Sequence, residues 1–159
     1  MKLKGIFFIF FCGITFLAYG QKQIHLEQIA FEYYKDSILK NYQLKNKLTI
    51  SAKIVKDVSY WNIDCLKEFN LRIDDTATAI VSAIETMDLN IGNDNRFQIK
   101  KFKKKNPPMI FATTFLSFDT DKYITGIIEN YDGNTNTYLF EINKEGEIKK
   151  WCKGVPKMY

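Results

Sequence analysis

The sequence predicts an α+β domain in which N-terminal helices pack on a C-terminal antiparallel β-meander of about four strands, with one strand earlier in the chain. Three observations carry this. Between residues 22 and 42 apolar side chains recur at helical spacing, after Asn95 short β-branched and aromatic runs alternate, and tight-turn sequences separate those runs.

Residues 1–20 come first and read as a signal peptide. Lys2 and Lys4 precede the apolar run GIFFIFFCGITFLAYG, which is short for a membrane span and ends on the small-residue site Ala18-Tyr19-Gly20. Cleavage after Gly20 would leave Gln21 as the N-terminus and residues 21–159 as a single α+β domain. A lipoprotein reading of Cys12 fails, because Ile9, Phe10 and Phe11 stand where a lipobox places small residues. The expected address is therefore periplasmic or secreted, with no transmembrane segment left after processing.

From Lys22 to Tyr42, Ile24, Phe31, Tyr34, Ile38 and Tyr42 share one sector of a helical wheel, so a helix is expected there. Lys47 to Val58 is β-rich, and Leu48, Ile50, Ala52 and Ile54 alternate with polar positions as in a half-buried strand. A short helix is expected over Trp61–Asn70. A second follows, capped by Asp74 or Asp75, with Ala77, Ile80, Val81, Ile84 and Met87 at helical spacing. Strands are then expected at Phe97–Lys103, Met109–Phe118, Tyr123–Tyr131, Thr137–Asn143 and Glu147–Cys152. The separators Asp119-Thr120-Asp121, Asp132-Gly133-Asn134 and Lys144-Glu145-Gly146 are turn chemistry that makes successive strands antiparallel neighbours.

Composition excludes more than it assigns. With 46% hydrophobic and 26% charged residues the chain is globular rather than disordered. The formal +5 falls to about +3 once Lys2 and Lys4 leave, too mild to call for a nucleic-acid partner. There is one histidine, His25, remote in sequence from any cysteine, so His-rich metal sites and Ser-His or Cys-His nucleophile pairs are not expected. No P-loop, GxGxxG or HExxH occurs, and no cofactor is implied. Enzyme chemistry would rest on carboxylates alone. Asp74-Asp75 reads as a helix cap, Asp119 and Asp121 as turn residues, and the run from Asn130 through Asp132 and Asn134 to Asn136, with Glu141 beyond, as a hairpin rather than a calcium loop.

One charge cluster stands out: Arg96, Lys100, Lys101, Lys103, Lys104 and Lys105, interleaved with Phe97, Ile99 and Phe102. On a strand running into the Pro107-Pro108 break, such lysines guard a sheet edge. As a ligand-binding surface, the same residues would hold an anionic glycan, a membrane surface or an acidic protein. Cys65 and Cys152, the two cysteines left after export, are expected to form a disulfide between the short helix and the last strand.

The final hairpin, from Tyr138 through Gly146 to Trp151, combines an aromatic strand, a Gly turn and a terminal Trp. It resembles the closing hairpin of small exported bacterial α+β proteins of uncharacterised function, and more weakly that of the NTF2-like cone folds. The second resemblance implies a curved sheet wrapped by helices around a pocket. The expected function is that of an exported, non-enzymatic binding or interaction module; the alternative is an NTF2-like pocket protein or a hydrolase using carboxylates.

Overall fold

Helix α1 (Leu26–Tyr33) buries Leu26, Ala30 and Phe31, the stripe that its apolar spacing places on one side. The computed structural model describes residues 25–41, 46–72, 80–81, 88–131 and 134–154, with the side chains of residues 41, 80 and 81 excepted. The expected signal peptide, its cleavage site and the Asp74-Asp75 cap lie outside these residues. After Tyr33 the helix widens into a π-turn (Tyr34–Ile38) and tightens into a 3₁₀ turn (Leu39–Asn41). Tyr34 thereby points into the core, fully buried, and the Lys35 carbonyl accepts an N–H from Arg96 at 3.1 Å.

The chain then forms β1 (Leu48–Ile50), helix α2 (Ile63–Glu68), β2 (Ile80–Val81) and β3 (Phe97–Ile99). The longer strands β4 (Ile110–Asp119), β5 (Lys122–Tyr131), β6 (Asn134–Ile142) and β7 (Ile148–Gly154) follow. The fold is mixed α+β, dominated by strands. Among the described residues one sheet runs in the order β3-β1-β4-β5-β6-β7, with β2 on β4. The pairs β4–β5, β5–β6 and β6–β7 are antiparallel, as their short turns require. By contrast, β3–β1 and β1–β4 are parallel, so the sheet is mixed rather than wholly antiparallel.

Three expectations need correction. The segment 47–58 is not one strand: β1 ends at Ile50, the Ser51 N–H still bonds the Ile110 carbonyl at 2.9 Å, residues 52–54 leave the sheet, and the segment returns to it at the bridge between Val55 and Thr113. The strand expected over Phe97–Lys103 stops at Ile99, where its partner β1 stops. Ile80 and Val81, expected on a helix, pair antiparallel with Ser117 and Leu116; two β-branched residues here answer to a neighbouring strand rather than to a local period.

Strand alternation gives the sheet two apolar faces. Ile110, Ala112, Ile127, Tyr138, Phe140 and Ile142 pack with α1, while Leu116, Ile124, Leu139 and Cys152 pack with Trp61, Cys65, Leu66 and Phe69 around α2. Helix α2 is fixed at both ends. The Asn62 side chain accepts the N–H groups of Asp64 and Cys65 at 2.9 and 3.2 Å, and Asn70, at φ 58°, turns the chain out of the helix. Cys65 and Cys152 are disulfide-bonded with Cα atoms 5.6 Å apart, joining α2 to β7. Gly154 lies so close beneath the cap that a Cβ there would collide with the Asn62 side chain.

Candidate functional site

Where residues 52–54 depart from the sheet, a groove of about 380 Å³ opens between them and the 99–102 segment. Local hydrogen bonds build its walls. Ser51 Oγ donates to the Lys53 carbonyl at 2.9 Å, folding the excursion back on itself, and Leu89 N–H donates to the Ala52 carbonyl at 2.7 Å, which pins residues 88–90 beside it. Across the groove, Lys100 N–H donates to the Ile50 carbonyl at 2.8 Å. Ile54, Val55, Ile99 and Phe102 supply apolar lining, and Phe102 meets Phe111 edge-on at 5.1 Å between ring centroids. Lys53, Lys100 and Lys101 supply positive charge; Asp88 is the carboxylate that lines it.

The structure divides the basic stretch. Lys100 and Lys101 line the groove, while Lys103, Lys104 and Lys105 are exposed on the loop beyond it. Lys100 Nζ reaches Asn106 Oδ1 at 3.3 Å, and Lys104 lies 4.0 Å from Asp57. Arg96 is employed elsewhere. Its guanidinium grips Asp94 through contacts of 3.0, 3.1 and 2.6 Å, approaches Asp36 at 3.8 Å, and does not line the groove. The Asp94 carboxyl is held below its usual range chiefly by the hydrogen bond from Arg96. Lys53 enters from a turn far back in the chain.

A second cavity of about 240 Å³ adjoins the groove across Ile54 and Asp88 and is lined also by His25, Glu27, Gln28, Leu89 and Asn90. Glu27 is 5% exposed. Its burial follows from a bulge in β4 between Thr113 and Leu116, which frees the Phe115 N–H from the ladder; Glu27 Oε1 accepts it at 3.2 Å. Burial pushes the Glu27 carboxyl up, partly opposed by the backbone hydrogen bonds it accepts. Gln28 seals the wall, exchanging hydrogen bonds of 3.0 and 2.8 Å with the Asn90 backbone.

A third polar cluster is closed. Glu129, 1% exposed, accepts from Tyr34 Oη, from Tyr138 Oη at 3.2 Å and from Asn136 Nδ2 at 3.2 Å. Burial, then the neighbouring Glu129, drives the Tyr34 hydroxyl well above its ordinary range. These contacts tie the π-turn to β5 and β6. Glu129, Tyr34, Tyr138 and Asn136 line neither the groove nor the second cavity.

The remaining carboxylates expected on turns stay there. Asp119 Oδ1 accepts the Thr120 N–H at 2.7 Å and Asp121 Oδ1 accepts the Lys144 N–H at 2.9 Å, whereas Glu141 stands within β6 and lies 3.9 Å from Lys122. Among the described residues no group of three or more His, Cys, Asp or Glu is placed to hold a metal ion, and no helix is long and apolar enough to cross a membrane. Comparison with protein-family models, with curated proteins and with solved structures finds no match.

Sequence reasoning missed Lys53, Asp88 and Glu27. Lys53 and Asp88 reach the groove through an excursion and a long-range backbone bond that leave no local signal. Glu27 answers a bulge nearly ninety residues away, and its only trace is an acid on the apolar stripe of α1.

Proposed function

We propose that the protein is an exported, non-enzymatic binding module that holds an anionic partner on the basic groove. The observation that carries this reading is the convergence of Lys53, Lys100 and Lys101 on an apolar lining that includes Ile99, 64% exposed. The contiguous lining of Ile54, Val55, Ile99 and Phe102 gives a partner apolar area to bury, and lysines at the rim speed the encounter with acids. No covalent chemistry is required. Of the anionic partners, an acidic protein fits a concave, partly apolar groove better than the flat surface of a bilayer. The helices on both faces of the mixed sheet serve as the rigid frame that holds the groove.

The test is binding of an acidic peptide, heparin and phosphatidylserine vesicles to the folded protein at rising salt. The reading expects affinity that weakens with salt and collapses in Lys100→Glu/Lys101→Glu. Affinity unchanged in that variant would remove the groove as the site.

A second reading, a pocket protein or hydrolase using carboxylates, has one observation in its favour: Glu27, its carboxyl raised by burial, sits in a cavity with His25 and Asp88. The Phe115 N–H already occupies one Glu27 oxygen. That bond gives Glu27 a structural task, so the binding reading is preferred.

A further inference from the structure

Strand β3 ends the described sheet, and its pairing dictates which backbone groups face outward. Leu48 N–H donates to the Arg96 carbonyl at 2.9 Å and Lys100 N–H donates to the Ile50 carbonyl at 2.8 Å. In a parallel strand the N–H and C=O of one residue point the same way and alternate between neighbours. Residues 96, 98 and 100 therefore face β1, and Phe97 and Ile99 face away from it. The Phe97 N–H is taken by the Asp94 carbonyl at 3.2 Å. Among the described residues, what remains on β3 is the Phe97 carbonyl and both backbone groups of Ile99, an outward array spaced as a strand presents it.

Side chains complete the picture. Phe97 is buried against Phe31 of α1, whereas Ile99, two residues on and on the same strand face, is 64% exposed beside the groove.

We propose that the outer edge of β3 receives an extended acidic segment of another protein as an added strand, a proposal that rests on the binding reading above. The edge offers acceptor and donor groups at the fixed spacing of a strand, which an extended polypeptide backbone matches in register; a glycan hydroxyl or a headgroup ammonium can donate to the Ile99 carbonyl, but neither repeats at that spacing. The partner's apolar residue covers Ile99 in the groove, and its acidic residues meet Lys53, Lys100 and Lys101. The same lysines select against error. A second copy of β3 would bring lysine against lysine, so the edge refuses itself and accepts an acid.

The experiment uses the folded protein and a capped peptide alternating Val and Glu, with heparin and phosphatidylserine vesicles as competing probes. Ile99→Pro removes the outward N–H without touching a bond to β1, and Ile99→Thr keeps the N–H while trimming the apolar surface. The peptide should bind Ile99→Pro about tenfold more weakly than Ile99→Thr, the cost of one lost hydrogen bond, although Thr loses more apolar surface than Pro. A second arm needs no protein variant: N-methylation of alternate peptide residues, on the edge that pairs with β3, should abolish binding to the wild type. Loss of binding in Lys100→Glu/Lys101→Glu with Ile99→Pro and N-methylated peptide unaffected overturns strand addition and leaves the basic-groove reading standing. No effect in any arm overturns both. Tighter binding of heparin or vesicles than of the peptide overturns the acidic-protein partner.

Discussion

Replacing both Cys65 and Cys152 with alanine, which opens the bridge between α2 and β7, should destabilise the protein strongly. The bridge spans a sequence separation of 87 residues. In the chain-entropy model, opening a loop of that length returns about 4.5 kcal/mol of configurational freedom to the unfolded chain. For a domain of this size that corresponds to a fall in Tm of about 15 °C. The structure also says where the loss acts: both cysteines are buried in the cluster that α2 shares with Leu116, Ile124 and Leu139, so the anchor of α2 on β7 weakens with it. The assay is thermal and urea unfolding of the wild type, with and without a thiol reductant, beside Cys65→Ala/Cys152→Ala. Reductant should lower the wild-type midpoint towards that of the variant and leave the variant unmoved. A wild-type midpoint indifferent to reductant would refute the reasoning.

Gly154→Ala should cost about 1–3 kcal/mol by circular-dichroism melting, because the new Cβ must displace the Asn62 cap of α2; unchanged stability would mean that α2 is not held where described. Tyr34→Phe, which takes one donor from the buried Glu129 carboxyl, should cost about 1–3 kcal/mol in urea unfolding, and the same change at half-buried Tyr60 should cost less. Glu27→Gln keeps an acceptor for the Phe115 N–H but cannot ionise. Because burial raises the Glu27 carboxyl in the folded state, the native protein binds that proton more tightly than the unfolded chain, so its contribution to stability falls as pH rises above the ordinary carboxylate range. The difference in unfolding free energy between Glu27→Gln and wild type should therefore grow in the variant's favour from acidic to neutral pH, and a flat difference would contradict the burial.

How far the sequence revealed this molecule depended on how local the cause was. The order and antiparallel pairing of β4 to β7 were legible because turn chemistry marks their connections: Gly146, at φ 83°, occupies the left-handed position that closes the β6–β7 turn, with its N–H on the Asn143 carbonyl at 3.0 Å. Helical character over 26–41 was legible from spacing, but the π-turn at Tyr34 was not, since one wide turn barely disturbs a helical wheel. Parallel pairing of β1 with β3 joins residues some fifty apart and has no local signature. The same holds for Ile80 and Val81, whose strand partner fixes them. For the site, the positive charge was readable and its membership was not. Arg96 belongs by sequence to the basic run, yet Asp94, two residues before it, claims its guanidinium, and Lys53 belongs to the groove without neighbouring the run.

Backbone amide shifts of the labelled protein titrated with the Val-Glu peptide test the central claim most directly. The account predicts shifts concentrated at Lys53 to Val55 and Ile99 to Phe102, fading as salt is raised. Shifts centred on His25, Glu27 and Gln28, or no shifts at any peptide concentration that the solution tolerates, would contradict it.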